Sequence, residues 1–165
     1  MISLKSPAFM TTTTGHKLQQ WMEGGVSVIV GTADADKVPT CCRAIAITTK
    51  DNFETVTVYV PAATGQETIA NVATTRRVAI ACTIPRSHGS IQIKGISRGV
   101  KLASPSDEEL VRTRLQQWAD ALAELGMPRC ITQRMTVWPA FAIDVSVEEL
   151  FDQTPGPKAG QPLAC

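Results

Sequence analysis

The segment "SIQIKGISRGVKLA", residues 90–103, constrains this chain more than any other. Ile91 and Ile93 alternate with Gln92 and Lys94, the period of a strand with one buried and one open face. The run is long for a strand, whose usual length is about 3–10 residues. Gly95 and Gly99 fall inside it, where a bulge or a bend at a barrel corner is the usual reason for glycine. A sheet built around such a strand is expected to curl.

Other short runs supply its neighbours. "VSVIVGT" (26–32) is β-branched and reads as a buried strand. The turn "ADADK" separates it from "VPTCCRAIAIT" (38–48), a hairpin partner whose Pro39 limits pairing at its start. After a second turn at 50–54, "TVTVYVP" (55–61) alternates cleanly, with Val56, Val58 and Val60 expected inward and Tyr59 as packing. "VAIACTI" (78–84) is a further strand, ended by Pro85. "MTVWPAFAIDVSV" (135–147) is expected to be the last.

Three segments carry helical spacing. "GHKLQQWMEGG" (15–25) places Leu18, Trp21 and Met22 on one face and stops at two glycines. "TGQETIANVATTRR" (64–77) begins with Thr64 as N-cap and Glu67 at the capping-box position. "SPSDEELVRTRLQQWADALAELGMP" (104–128) shows a stripe of Leu110, Val111, Leu115, Trp118, Leu122 and Leu125, with Ser106 as N-cap and Glu109 as its partner. The order α-β-β-β-α-β-β-α-β, mostly joined by short turns, predicts an α+β, mostly β fold. Six strands with glycines inside them suit a six-stranded antiparallel split β-barrel with flanking helices. The whole of 1–165 is expected to be one domain, with an irregular Pro/Gly-rich tail at 152–165.

Composition excludes several classes. Of 165 residues, 44% are hydrophobic and 19% charged, an ordinary globular balance. A net charge of +1 leaves no footprint for nucleic acid or an anionic membrane. No apolar run is long enough to span a bilayer, and "MISLKSPAFMTTTTGHK" lacks the apolar core of a signal peptide. The five cysteines, Cys41, Cys42, Cys82, Cys130 and Cys165, show no metal-ligand spacing and suit free thiols in a reducing, cytoplasmic setting. Nucleotide-binding glycine motifs, a nucleophile elbow and an HExxH zinc motif are all absent. His16 and His88 lie far apart in the sequence, with no acid paired to either.

Three blocks carry a resemblance to a known family. They are "GGVSVIVGTADADKVPTCCRAIAI", "VTVYVPAATGQETIANVATTRRVAIACTIPRSHGSIQIKG" and "VWPAFAIDVSVEELFDQTPGPKAGQPL". Together they span about residues 18–163 and resemble the pyridoxamine 5′-phosphate oxidase-like, FMN-binding split-barrel superfamily. A subgroup of uncharacterised, oxidase-related proteins is similar in the second and third blocks. The resemblance implies a homodimer with FMN in the grooves between subunits and a small-molecule redox substrate. Haem and deazaflavin, bound by other members, are the lesser cofactor expectations. A non-enzymatic flavin- or haem-binding module and a cofactor-free structural dimer stand as alternatives to an FMN-dependent oxidoreductase.

The resemblance also nominates residues. Arg43 matches the arginine opening the oxidase's Arg-to-Lys strand motif, although Thr48 stands where the lysine would be. An arginine among apolar strand residues needs a phosphate, a carboxylate or solvent. Thr64 and Gln66 lie at the strand-to-helix turn that contributes to phosphate binding, or else serve only the helix end. The oxidase's Ser-Arg-Lys run there is replaced by Gln66, Glu67 and Thr68, so compensation falls to Arg43, Arg86 or Lys94. Ser87, Ser90 and Gln92 are candidate polar contacts near the flavin ring, unless Gln92 and Lys94 merely face solvent. His88 is a cofactor contact, a haem ligand, an acid–base group or plain polar surface. Trp138 matches loosely an aromatic that approaches the flavin, or else packs in a core or interface. The C-terminal tail replaces the arginine-containing strand of the true oxidase, which argues against vitamin B6 oxidation.

Overall fold

The computed structural model describes residues 18–50 and 53–163. After a helical turn at 18–22, the chain runs β1 (Ser27–Ala33), β2 (Pro39–Ala44), β3 (Ala46–Lys50), β4 (Thr55–Pro61), α1 (Gln66–Thr75), β5 (Arg77–Thr83), β6 (Ser90–Leu102), α2 (Pro105–Ala123), α3 (Arg129–Gln133) and β7 (Ala140–Asp152). The start of the first expected helix with His16, the N-terminal segment read for a signal peptide, part of the 50–54 turn and Cys165 lie outside the described residues.

All strand pairs are antiparallel and form one sheet in the order β2-β1-β5-β6-β7-β4-β3. Among the described residues there are seven strands rather than the six expected. The run 38–48 breaks at Ile45: β2 pairs with β1, while β3 pairs with β4 at the far end of the order. Ile45 N–H leaves both ladders to donate to the Tyr59 carbonyl at 2.9 Å. The two outer strands are thus joined through a single residue, which requires the sheet to curl until its ends approach.

β6 bends where its glycines allow. The β6–β7 register slips between Lys94 and Gly95, leaving Glu148 extra on β7, and again between Ser97 and Gly99, leaving Arg98 extra on β6. Gly95 is sterically required: a Cβ there would sit 2.1 Å from the Ser146 carbonyl oxygen. Gly99 has no such neighbour within 4 Å.

Inside the curl, Val28, Val30, Val56, Val58, Val60, Ile80, Ile93 and Ile143 are buried and form the main core. Val56, Val58 and Val60 face inward as their alternation predicts. A second cluster joins Ile45, Ala46, Tyr59, Val111, Val137 and Ala142 beneath α2.

Several boundaries differ from expectation. α1 starts after Gly65, and no side chain caps it, so Thr64 is not its N-cap. α2 begins one residue after Ser104 rather than after Ser106, because Pro105 suits the first helical position. The Asp107 carboxylate accepts from Ser104 N–H at 2.9 Å and from its hydroxyl at 2.6 Å. The last strand starts at Ala140, not at 135. Pro139 cannot donate to a ladder, and β7 instead continues to Asp152 to pair with the start of β6. α3 was not expected from the sequence.

β4 pairs β7 only from Ala140 to Ser146, which leaves the second half of β7 with an open edge. The tail covers it. Leu163 N–H donates to the Leu150 carbonyl at 2.9 Å, Asp152 N–H to the Gln161 carbonyl at 2.9 Å, and Phe151 bridges Pro162. An unpaired edge is thereby closed to other chains.

Candidate functional site

Register fixes what the outer face of the curled sheet presents. One row across five strands reads Arg43, Ile29, Ala81, Gln92, Phe151. The next row on the same face reads Cys41, Gly31, Ala79, Lys94, Glu149. The row between them, Cys42, Val30, Ile80, Ile93 and Leu150, points into the core. Arg43, Gln92 and Lys94 therefore share one face, with Ile29 and Ala81 between them in one row and Gly31 and Ala79 in the next. Arg43 and Gln92 are three strand spacings apart, roughly 14 Å. No side chain bridges that span, but an extended ligand can.

Three grooves open around this face. The largest, about 580 Å³, runs over Gly31, Ala33, Ala79 and Gly95 and is bordered by Cys41 and Lys94. Gly31 and Ala79 raise little or no side chain from its floor, and the space above Gly31 is open: an added Cβ would meet only the Ala79 carbonyl oxygen, at 3.9 Å. The second, about 470 Å³, lies between β2 and the β4–α1 turn, with Cys41, Arg43, Thr64 and Thr136 in its wall. The third, about 410 Å³, holds Ser27, Arg43, His88, Trp118 and Leu122. Cys41 is common to the first two grooves and Arg43 to the last two.

Arg43 is half-buried, and burial pushes its pKa below the ordinary arginine value. Its guanidinium donates to Ser27 Oγ at 2.9 Å and lies 4.6 Å from the centre of the Trp118 ring. It makes no ion pair among the described residues. The stem of Arg43 thus borders the second groove while its charge is directed into the third.

The β4–α1 turn brings Thr64 to the surface of the second groove, beside the uncapped first-turn amides of α1. These amides are unsatisfied by helix geometry and favour an anion. Glu67, also in that turn, opposes one, although its carboxylate is engaged by the Thr40 hydroxyl at 2.7 Å. Gln66 is exposed and lines none of the three grooves.

The loop 84–90 is held by its own polar groups. Ser87 Oγ accepts from Gly89 N–H at 3.3 Å, and Ser90 Oγ donates to the His88 carbonyl at 2.9 Å. Ser90 N–H donates to Thr154 Oγ1 at 3.0 Å, and Gln153 donates to Gln92 Oε1 at 3.4 Å, so the tail is tied to this strand. Arg86 pairs with Glu124 of the segment after α2 at 3.2 Å. His88 takes a left-handed conformation with φ 57°, which turns the chain at the mouth of the third groove. Lys94 lies 4.7 Å from the centre of the Phe151 ring. Trp138 lies before β7, packed against the second core cluster and lining none of the three grooves.

The structure therefore joins Arg43 with Thr64 in one groove, Arg43 with His88 in another, and sets Lys94 in a third. Gln66, Arg86, Ser87, Ser90, Gln92 and Trp138 line none of them. Sequence reasoning missed Cys41, Gly31 and Ala79 as floor residues, Thr136 as wall, and Trp118 as the partner of Arg43. Strand alternation signals the first three once register is known. No local signal brings Trp118 to Arg43, since they are remote in sequence. Among the described residues no cluster of three or more His, Cys, Asp or Glu could hold a metal, and no helix is long and apolar enough to cross a membrane.

No family model matches the chain, and no curated protein matches its sequence. Solved structures do match. The HupZ protein of Group A Streptococcus is 19% identical, with a TM-score of 0.53 over 92% of this chain and 100% of that one. A candidate pyridoxamine 5′-phosphate oxidase from Lactobacillus delbrueckii is 15% identical, with a TM-score of 0.51 over 86% of this chain and 93% of that one. An FMN-binding protein from Syntrophomonas wolfei is 8% identical, with a TM-score of 0.53 over 93% and 90%. The chain has the split-barrel fold of the pyridoxamine 5′-phosphate oxidase-like superfamily.

Proposed function

We propose that this protein binds a flavin, FMN in the first instance, on the outer face of its curled sheet and acts there as an oxidoreductase. The observation that carries the reading is the junction at Cys41. There a flat groove floored by Gly31 and Ala79 meets one ending at Thr64 and the uncapped start of α1. A planar ring suits the first groove, with Lys94 at its edge. A sugar-phosphate arm suits the second, with the Thr64 hydroxyl and the first-turn amides as donors. The flavin would supply two-electron hydride chemistry, while these residues bind and orient it.

The charge available to the phosphate is small. Arg43 is the cation in that wall, and its guanidinium is directed elsewhere. FMN should accordingly gain only a modest advantage over riboflavin. The flat, small-residue face around Gly31 and Ala79 also supports a homodimer in which a second subunit covers the ring.

The test is the visible spectrum of freshly purified full-length protein, followed by analysis of the released ligand. A flavin spectrum, with bleaching by NADH or NADPH under anaerobic conditions, supports an oxidoreductase. A bound flavin that dithionite reduces but neither nicotinamide does supports a binding module instead. A Soret band, or a colourless protein that refuses added FMN, defeats the reading.

A further inference from the structure

The third groove is a site of different character from the other two. Its walls are Trp118, Leu122, Leu125, Met127 and Pro85, and Leu125 and Met127 remain 54% and 40% exposed. Its volume of about 410 Å³ lies in the range of small-molecule sites. Its polar groups converge at one end, where Arg43 and Ser27 stand, with His88 on the rim.

Arg43 gives the site its selectivity. One amine of its guanidinium donates to Ser27 Oγ, and the ring of Trp118 covers one face. The other N–H groups have no partner among the described residues and are not sealed from solvent. Half-buried, with no counter-ion and with N–H groups met only by solvent, this cation is open to an arriving anion. A carboxylate can accept two parallel N–H bonds from a guanidinium. A dianion would meet only one fixed cation and a largely apolar wall, so the complementarity is to a single charge on an apolar body.

We propose that this groove between α2, β1–β2 and the 84–89 loop binds a small apolar molecule bearing one carboxylate, its charge held by Arg43 and its body by Trp118, Leu122 and Met127. The site shares only Arg43 with the flavin grooves, and its occupancy does not depend on a flavin being bound.

Calorimetric titration of the full-length protein tests this with 4-phenylbutyrate, its neutral amide and inorganic phosphate. The acid is expected to bind at least tenfold more tightly than the amide, and phosphate to compete weakly. Arg43→Gln should bring acid and amide within twofold of each other, chiefly by weakening the acid. Arg43→Lys should keep part of the preference. If Arg43→Gln does not fold, Leu122→Glu serves instead: it places a carboxylate in the apolar wall and should abolish acid binding. Equal affinity for acid and amide, no binding of either, full competition by phosphate, or an acid preference that survives Arg43→Gln would each overturn the assignment. Flavin uptake, read separately from the absorption spectrum of the same samples, keeps failure here distinct from failure of the flavin reading.

Discussion

Gly95→Ala should be far more damaging than its size suggests. The added Cβ would lie 2.1 Å from the Ser146 carbonyl oxygen, 2.9 Å from Val145 Cγ1 and 3.0 Å from the Ser146 carbonyl carbon, where ordinary contact begins at 3.4 Å. Two of these atoms are backbone, so β6 and β7 must separate by more than 1 Å at the bulge, on the scale of the gap between 2.1 and 3.4 Å. Losing two ladder hydrogen bonds there costs about 2 kcal/mol, at about 1 kcal/mol each. Residual crowding adds about 1 kcal/mol. A total of about 3 kcal/mol lowers the melting temperature by about 6–12 °C for a chain of this size. Gly99→Ala is the matched control: nothing lies within 4 Å of its Cβ, and the change should stay within about 0.5 kcal/mol. Thermal and urea unfolding followed by circular dichroism compare the three proteins. If Gly95→Ala melts with the parent, or no lower than Gly99→Ala, the close approach of β6 and β7 is not as described. Gly95 also lines the largest groove beside Lys94, so the same substitution should weaken any ligand bound there.

Tyr59 is the only tyrosine of the chain, and burial, reinforced by the neighbouring Asp107, pushes its pKa up to about 12. Its phenolate absorbance should therefore rise near pH 12, and a midpoint near 10 would show that it is not buried beside Asp107 as described. Because the folded pKa is raised, the stability it contributes is full below the ordinary value and is lost as pH climbs through the folded one. Ser104→Ala removes the hydroxyl donor that chiefly holds the Asp107 carboxyl below its ordinary range. It should cost about 1 kcal/mol in urea unfolding at neutral pH. That difference should shrink as pH falls through the depressed Asp107 pKa, because the stabilising form is the carboxylate; a pH-independent difference would refute the capping role. Burial pushes the Cys82 thiol up to about 12, whereas Cys41 and Cys130 are exposed. In a Cys165→Ser background, a thiol reagent should label Cys41 and Cys130 rapidly and Cys82 only on unfolding. Bound FMN should protect Cys41 but not Cys130.

Much of the fold was legible because it is periodic. Val56, Val58 and Val60 needed only a strand's alternation to be placed inward, and Gly95 announced the bend that β6 makes. The break of 38–48 into β2 and β3 was not legible, since "CCRAIAI" carries no turn residue. The chain leaves one edge of the sheet for the other at Ile45 because the curl brings those edges together, a tertiary demand. The last strand was misplaced for a similar reason. "MTVW" has strand propensity but no partner, whereas "VEELF" carries two glutamates yet pairs with β6. The candidate site followed the same division. Arg43, Thr64, His88 and Lys94 stood out as polar residues in apolar or loop settings. The small residues that form the groove floor did not, because their value lies in what register sets beside them. Trp118 read as one more member of a helix stripe, and only the packing of α2 against β2 brings it over the arginine.

Binding of a flavin on the outer face of the sheet can be read by titrating full-length protein into FMN and following flavin fluorescence, with Gly31→Leu as the comparison. The leucine would rise from the flat floor, where only the Ala79 carbonyl oxygen stands near, and occupy the space assigned to the ring. Saturable quenching by the parent protein, lost in Gly31→Leu while its melting temperature is retained, is the predicted result. Equal quenching by both proteins, or none by the parent, would contradict the claim.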